Sequence, residues 1–158
     1  MKSLAHQNVM ILGLGISGLA MARWCVQYGA TVTVIDSRAT PPQLNQLKTE
    51  LSDARFVCSQ FQPTLLDDVQ IDFLLISPGI KPEDINELLS SAKEKTIRIG
   101  NELTLFSMAL TDLKESDLYK PHVLAITGTN GKTTVTSLTG KLTACANRSE
   151  ERRVGKEC

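Results

Sequence analysis

The chain has 158 residues, 42% of them hydrophobic, and its seventeen basic and seventeen acidic side chains cancel. That fits one soluble globular domain or slightly more, and the neutral balance gives no reason to expect nucleic acid or an anionic membrane as partner. No apolar run approaches the roughly 20 residues of a membrane-spanning helix. Met1 to Gln7 lacks the build of a signal peptide, because the first apolar run is broken by Gly13 and Gly15. Cys25, Cys58, Cys145 and Cys158 are scattered and form no C-x-x-C pair, which reads as cytoplasmic thiols with no metal site. His6 and His122 have no nearby Cys or His partner and read as structural or exposed residues.

In chain order, Asn8-Val9-Met10-Ile11-Leu12 is a short strand of the buried type. It runs into Gly13-Leu14-Gly15-Ile16-Ser17-Gly18, a complete G-x-G-x-x-G. A helix follows, with Leu19, Met21, Ala22, Trp24, Cys25 and Tyr28 available for packing and Gly29 as its stop. Thr31 to Ile35 is the next strand, and it ends at Asp36. This acid lies roughly 20 residues past the motif, where a Rossmann domain often keeps a ribose-binding carboxylate. The first two glycines would allow a tight turn and close approach to a diphosphate, and Gly18 would allow helix–strand packing. The unit therefore reads as a dinucleotide-type fold without naming its ligand: NAD, FAD and UDP-sugars all carry a diphosphate. A βαβ unit with a merely tight turn is the bland alternative.

The chain continues in βα steps. Thr40-Pro41-Pro42 opens a helix expected through Asp53. Arg55 to Val57 is a short strand, and Ile71 to Ile76 is a strong buried one that ends at the sharp turn Ser77-Pro78-Gly79. Glu83 to Lys93 has helical spacing at Ile85, Leu88, Leu89 and Ala92, and Thr96 to Ile99 is a last short strand. Asn101 caps a helix through Leu110, with Leu103, Phe106 and Leu110 as its apolar stripe. Residues 111–121 are polar and aperiodic, the expected linker between two domains.

A second domain is expected to open at His122. The apolar run His122 to Thr127 reads as a strand, Gly128-Thr129-Asn130-Gly131-Lys132-Thr133-Thr134 as a phosphate loop, and Val135 to Ala146 as a helix. Loop glycines let backbone N–H groups converge on an anion. The helix start adds about 0.3–1 kcal/mol per anionic group. Lys132 would supply a full charge to the β- and γ-phosphates and Thr133 a hydroxyl to Mg²⁺. The spacing is short. The general pattern puts four residues between the first Gly and Gly-Lys-[Ser/Thr], whereas Gly128 and Gly131 enclose two. A Gly/Asn turn before a helix that starts Lys-Thr-Thr is the alternative.

The short form Thr127 to Thr134 resembles the ATP loop of the Mur ligase family, where this spacing is normal. Three further pieces resemble that family's D-glutamate-adding branch: Ile11 to Gly18, Asp36-Ser37-Arg38 with Pro41-Pro42, and Ile76 to Ile80. The similarity extends over roughly residues 7–146. It implies an α/β chain: a Rossmann-like parallel-sheet domain (1–110), the linker, then the first strand-loop-helix of a truncated P-loop ATPase domain (122–146). It also implies that the first cradle holds a UDP-sugar and no dinucleotide. Gly15, Ile16 and Ser17 would face the diphosphate, Asp36, Ser37 and Arg38 would lie by the uridine and its ribose, and Gly79 would line the uracil side. Gly128, Thr129, Asn130, Gly131, Lys132, Thr133 and Thr134 would hold ATP, with Lys132 and Thr133 as the catalytic pair and Thr133 on Mg²⁺.

The reaction implied is an ATP-dependent amide ligation in peptidoglycan synthesis. ATP phosphorylates the carboxylate of UDP-N-acetylmuramoyl-L-alanine, and the amine of D-glutamate displaces the phosphate. A cytoplasmic monomer is expected. The family's further metal ligands, carbamylated lysine and amino-acid site have no counterpart here, so the 158-residue chain is expected to be inactive alone. Residues 147–158 are highly charged, lack an apolar stripe and read as a foreign tail resembling translated adapter sequence. A natural polar C-terminus is the alternative. Two other functions stay open: an NAD-dependent oxidoreductase using Gly13 to Gly18 and Asp36, and a non-catalytic nucleotide-binding fragment.

Overall fold

The structure is a computed structural model that describes residues 4–67, 69–116 and 121–146. The chain divides into two units, Met1–Tyr119 and Lys120–Cys158. The expected tail at 147–158 and positions 117–120 of the expected linker lie outside the described residues.

The first unit is built on five parallel strands: β1 (Asn8–Leu12), β2 (Thr31–Asp36), β3 (Arg55–Cys58), β4 (Phe73–Ile76) and β5 (Arg98–Gly100). Their order across the sheet is β3-β2-β1-β4-β5. The crossovers contain α1 (Ile16–Gln27), α2 (Leu44–Glu50) and α3 (Asn86–Glu94), and α4 (Glu102–Ser116) follows β5. Short 3₁₀ turns at Pro63–Leu66 and Pro82–Asp84 precede β4 and α3.

Alternation along the strands assigns side chains to two cores. Val9, Ile11, Val32, Val34, Phe73 and Leu75 pack with Leu19, Ala22 and Cys25 of α1, Leu47 of α2 and Leu105 of α4. Met10, Leu12, Ile35 and Leu74 pack on the other face with Leu66, Ile85, Leu88 and Ala92. A sheet covered on both faces needs apolar residues at consecutive positions, which is why β1 and β4 read as continuous apolar runs.

Local chemistry sets the element ends. α1 stops at Gly29, whose φ of +80° suits glycine. Asn101 accepts hydrogen bonds at Oδ1 from the N–H groups of Leu103 (3.0 Å) and Thr104 (3.1 Å), the N-cap expected of it. α4 then continues to Ser116, six residues beyond the expected Leu110 and into the expected linker. Its buried positions are Leu105 and Ala109, with Met108 beside them, whereas Leu103 is 64% exposed and Phe106 and Leu110 are half-buried. The expected stripe was therefore out of phase. α2 is also shorter than expected, because the Pro41-Pro42 segment forms a turn before it.

In the second unit α5 (Lys132–Cys145) forms, but residues 122–127 do not make the expected strand. Val123 and Leu124 are exposed and carry no ladder hydrogen bonds. A parallel strand has no local partner. Its donors and acceptors need neighbouring strands, and the second unit has no strand among its described residues. Also among the described residues, no helix is long and apolar enough to cross a membrane.

Candidate functional site

The sheet's carboxyl edge gathers the loops that the sequence marked. In β3-β2-β1-β4-β5 the chain turns one way from β1 and the other way at β4, and ligands of open α/β sheets bind outside the strand ends at such a reversal. The loop after β1 is pinned from both sides. The Gly13 N–H donates to the Ile35 carbonyl of β2 (2.7 Å), and the Ser77 N–H donates to the Leu12 carbonyl (3.0 Å).

Each glycine of the first motif has its own geometry. Gly13 has φ +86°, and an added Cβ would lie 3.1 Å from Ser77 and Ile80 of the turn after β4. At Gly18 an added Cβ would come 2.0 Å from the Gly13 carbonyl oxygen, so only hydrogen lets α1 approach the end of β1. At Gly15 and Gly79 an added Cβ would meet nothing within 4 Å, so both border open space. Gly15 is the N-cap of α1 and gives no side-chain cap, and Leu19 N–H makes the first bond back to it (3.0 Å). The N–H groups of Ile16, Ser17 and Gly18 thus begin a helix without an intrahelical acceptor, which is the geometry of an anion site. Ile16 is 76% exposed at this tip, and Ser17 is buried.

Asp36 ends β2 and is buried. Its Oδ2 accepts from Leu14 N–H (2.7 Å) and Arg38 Nη2 (2.8 Å), and its Oδ1 accepts from Arg38 N–H (3.0 Å) and Arg38 Nε (2.8 Å). Burial works to raise this carboxyl's pKa. The Arg38 side chain, the Leu14 and Arg38 amides and the guanidinium charge outweigh burial and hold the pKa at about 2. The carboxylate therefore ties the glycine loop to the end of β2. Ser37 and the Arg38 side chain are exposed beside it.

A cleft of about 690 Å³ opens on the same edge, lined by Ser37, Gln60, Phe61, Gln62, Glu83 and Glu87 among others. Asp84 also lines it, so the lining carries three carboxylates and suits a neutral group better than a diphosphate. Sequence reasoning assigned nothing to Gln60-Phe61-Gln62. Its available signal was an aromatic between two amides just after a strand. Cys58 and Cys145 are exposed free thiols, and burial pushes the Cys25 thiol up to about 12. Among the described residues no cluster of His, Cys, Asp or Glu could hold a metal.

In the second unit Gly128 has φ +154° and Gly131 φ +76°, and Gly131 is the N-cap of α5. An added Cβ at Gly131 would again meet nothing within 4 Å. Lys132 Nζ donates to the Gly128 carbonyl (2.6 Å) and the Thr129 carbonyl (3.4 Å). Thr129, Asn130, Thr133 and Thr134 are exposed around it. The sequence-predicted residues thus fall into two groups, one in each unit.

Residues 7–100 match the family model described as Mur ligase MurD-like, N-terminal domain. The chain is 50% identical over 149 residues to a UDP-N-acetylmuramoylalanine--D-glutamate ligase of Albidiferax ferrireducens, covering 94% of this chain and 29% of that protein. A protein of the same name from Ralstonia nicotianae is 46% identical over 148 residues, with 92% and 29% covered. Among solved structures, a UDP-N-acetylmuramate:L-alanyl-gamma-D-glutamyl-meso-diaminopimelate ligase from Neisseria meningitides aligns with a TM-score of 0.49 at 21% identity, over 90% of this chain and 40% of that one.

Proposed function

The chain belongs to the Mur ligase family through its MurD-like N-terminal domain, and we propose that it is the nucleotide-binding part of a D-glutamate-adding ligase of peptidoglycan synthesis. It spans about 29% of the length of the Albidiferax ferrireducens and Ralstonia nicotianae relatives, both named UDP-N-acetylmuramoylalanine--D-glutamate ligase. The observation that carries the reading is the open helix start at Gly15-Ile16-Ser17 on the carboxyl edge of the sheet, in a chain with a second glycine loop of different design.

In this reading the first unit holds UDP-N-acetylmuramoyl-L-alanine. The amides of Ile16 and Ser17 meet the diphosphate, Ser37 and Arg38 lie by the uridine, Asp36 holds them in place, and Gly79 leaves room for the base. Residues 1–110, with the rest of α4 to Ser116, form the sugar-nucleotide domain, and 122–146 open an ATP-binding domain. The second loop fits ATP: its positive-φ glycines turn the backbone as phosphate loops require, and the Lys132 ammonium lies against the loop, donating to the Gly128 carbonyl. Gly128 to Thr134 would hold the phosphates, and the Thr133 hydroxyl would hold Mg²⁺, which supplies charge neutralisation. The chain's own work is positioning and electrostatics. D-Glutamate would bind to parts of a ligase beyond this sequence, in a cytoplasmic monomer that contacts neither nucleic acid nor membrane.

Calorimetric titration of the chain with UDP-N-acetylmuramoyl-L-alanine tests the reading against NADH. Saturable binding of the UDP-sugar, tighter than that of NADH, is the expected result. Tighter binding of NADH would turn the reading to an oxidoreductase.

A further inference from the structure

The carboxylate of Asp36 is full. An ionised carboxylate offers about four lone-pair directions, and four donors take them: Leu14 N–H and Arg38 Nη2 on Oδ2, Arg38 N–H and Nε on Oδ1. In dinucleotide-binding Rossmann domains the acid at this position receives ribose hydroxyls. Two of the four donors belong to one guanidinium and sit side by side, one on each oxygen. A ribose 2′,3′-diol needs those same two directions. The Arg38 side chain is 55% exposed and that of Asp36 only 3%, so the guanidinium covers the carboxylate.

We propose that Arg38 is a specificity-determining residue: it masks Asp36 and thereby keeps nucleotides that are read through an adenosine ribose diol, such as NAD, out of the first cradle. The inference deepens the proposed function and rests on reading this cradle as a nucleoside-diphosphate site. The two amide donors are fixed by the backbone and remain when the side chain is removed. Truncating Arg38 opens one acceptor direction on each oxygen, the pair a vicinal diol can fill. The sign of the effect is diagnostic. Removing a cation should weaken any polyanion by general electrostatics, so a gain in dinucleotide affinity has to come from the uncovered acid.

The test titrates the intact 158-residue chain and its Arg38→Ala and Arg38→Met variants with NADH and NADPH, followed by cofactor fluorescence. Arg38→Met keeps the aliphatic stem, and thermal melts verify that each variant is folded. Both variants should bind NADH at least tenfold more tightly than the parent or its detection limit. NADPH should gain much less, because its 2′-phosphate removes one hydroxyl and sets a dianion against the carboxylate. Adding Asp36→Asn to Arg38→Ala should cancel the gain. No gain for NADH in either folded variant, or an equal gain for NADPH, overturns the proposal. UDP titrated into the parent chain reports separately on the underlying reading: failure there strikes the nucleoside-diphosphate site and leaves the NADH comparison to decide the role of Arg38.

Discussion

At the scale of single residues, the glycines of one motif should separate stability from binding. Gly18 has no room for a methyl group, because an added Cβ would sit 2.0 Å from the Gly13 carbonyl oxygen, a backbone atom that cannot swing away. Gly18→Ala should therefore push α1 off β1 and cost roughly 1–3 kcal/mol or more, read as a lowered urea midpoint. Gly15→Ala points into open space and should cost only about a kcal/mol or less as a poorer N-cap, while obstructing the diphosphate. Equal destabilisation by both would mean that the loop is held differently. Asp36 makes a pH prediction. Its folded pKa of about 2 lies below the ordinary 3.8, so its stabilisation is complete above the ordinary value and is lost as pH falls through the folded one. The stability gap between the parent and Asp36→Asn should therefore narrow by about 2 kcal/mol between pH 7 and pH 2. Urea melts across that range check it, and a gap independent of pH would place the titration elsewhere.

At the scale of elements, the Asn101 cap ties β5 to α4, and its two accepted bonds to Leu103 and Thr104 make it more than a turn residue. Asn101→Ala should cost about 1 kcal/mol, and Asn101→Asp should retain most of the stability. Far-ultraviolet melts of the two variants measure the difference. This cap, all five strands of the sheet and the buried positions Ile85, Leu88 and Ala92 were legible because each is written in neighbouring residues. The phase of α4 was not. Leu103, Phe106 and Leu110 are as apolar as Leu105 and Ala109, and the sheet edge decides which of them face inward. The segment 122–127 shows the same limit more sharply. Its β-branched and aliphatic residues give it strand character, but a parallel strand is completed only by neighbours distant in sequence. In the site, the glycine loop and Asp36 were readable from their spacing. The inward turn of the Asp36 carboxylate was not, because it depends on Leu14 and Arg38 presenting donors in three dimensions. The Phe61 cleft arises only when the loops after β2, β3 and β4 meet.

At the scale of the whole molecule, the two units differ in how they can be stabilised. The first has two buried cores, whereas α5 has no buried residue and exposes Val135, Leu138 and Leu142. Amide exchange should therefore be orders of magnitude slower in β1, β2 and β4 than in α5, since protection follows burial and cooperative packing. Uniform protection would show that α5 is covered in solution. The division also governs function. In a full-length ligase that carries this sequence, Lys132→Ala removes a preorganised cation from the second loop and leaves the first unit untouched. Charge redistributes at the γ-phosphate as the phosphoryl group moves to the carboxylate, so the loss should cost about 3–4 kcal/mol, or about 10²–10³ in kcat, with UDP-sugar binding retained. Gly15→Val should do the reverse. Its side chain enters the open space before α1 and should raise the apparent KM for the UDP-sugar with a smaller effect on ATP. Steady-state kinetics of both variants decides the assignment. If Lys132→Ala chiefly weakened the UDP-sugar, or Gly15→Val chiefly weakened ATP, the two loops would have exchanged roles, and the open helix start of α1 would have to be read as the ATP site.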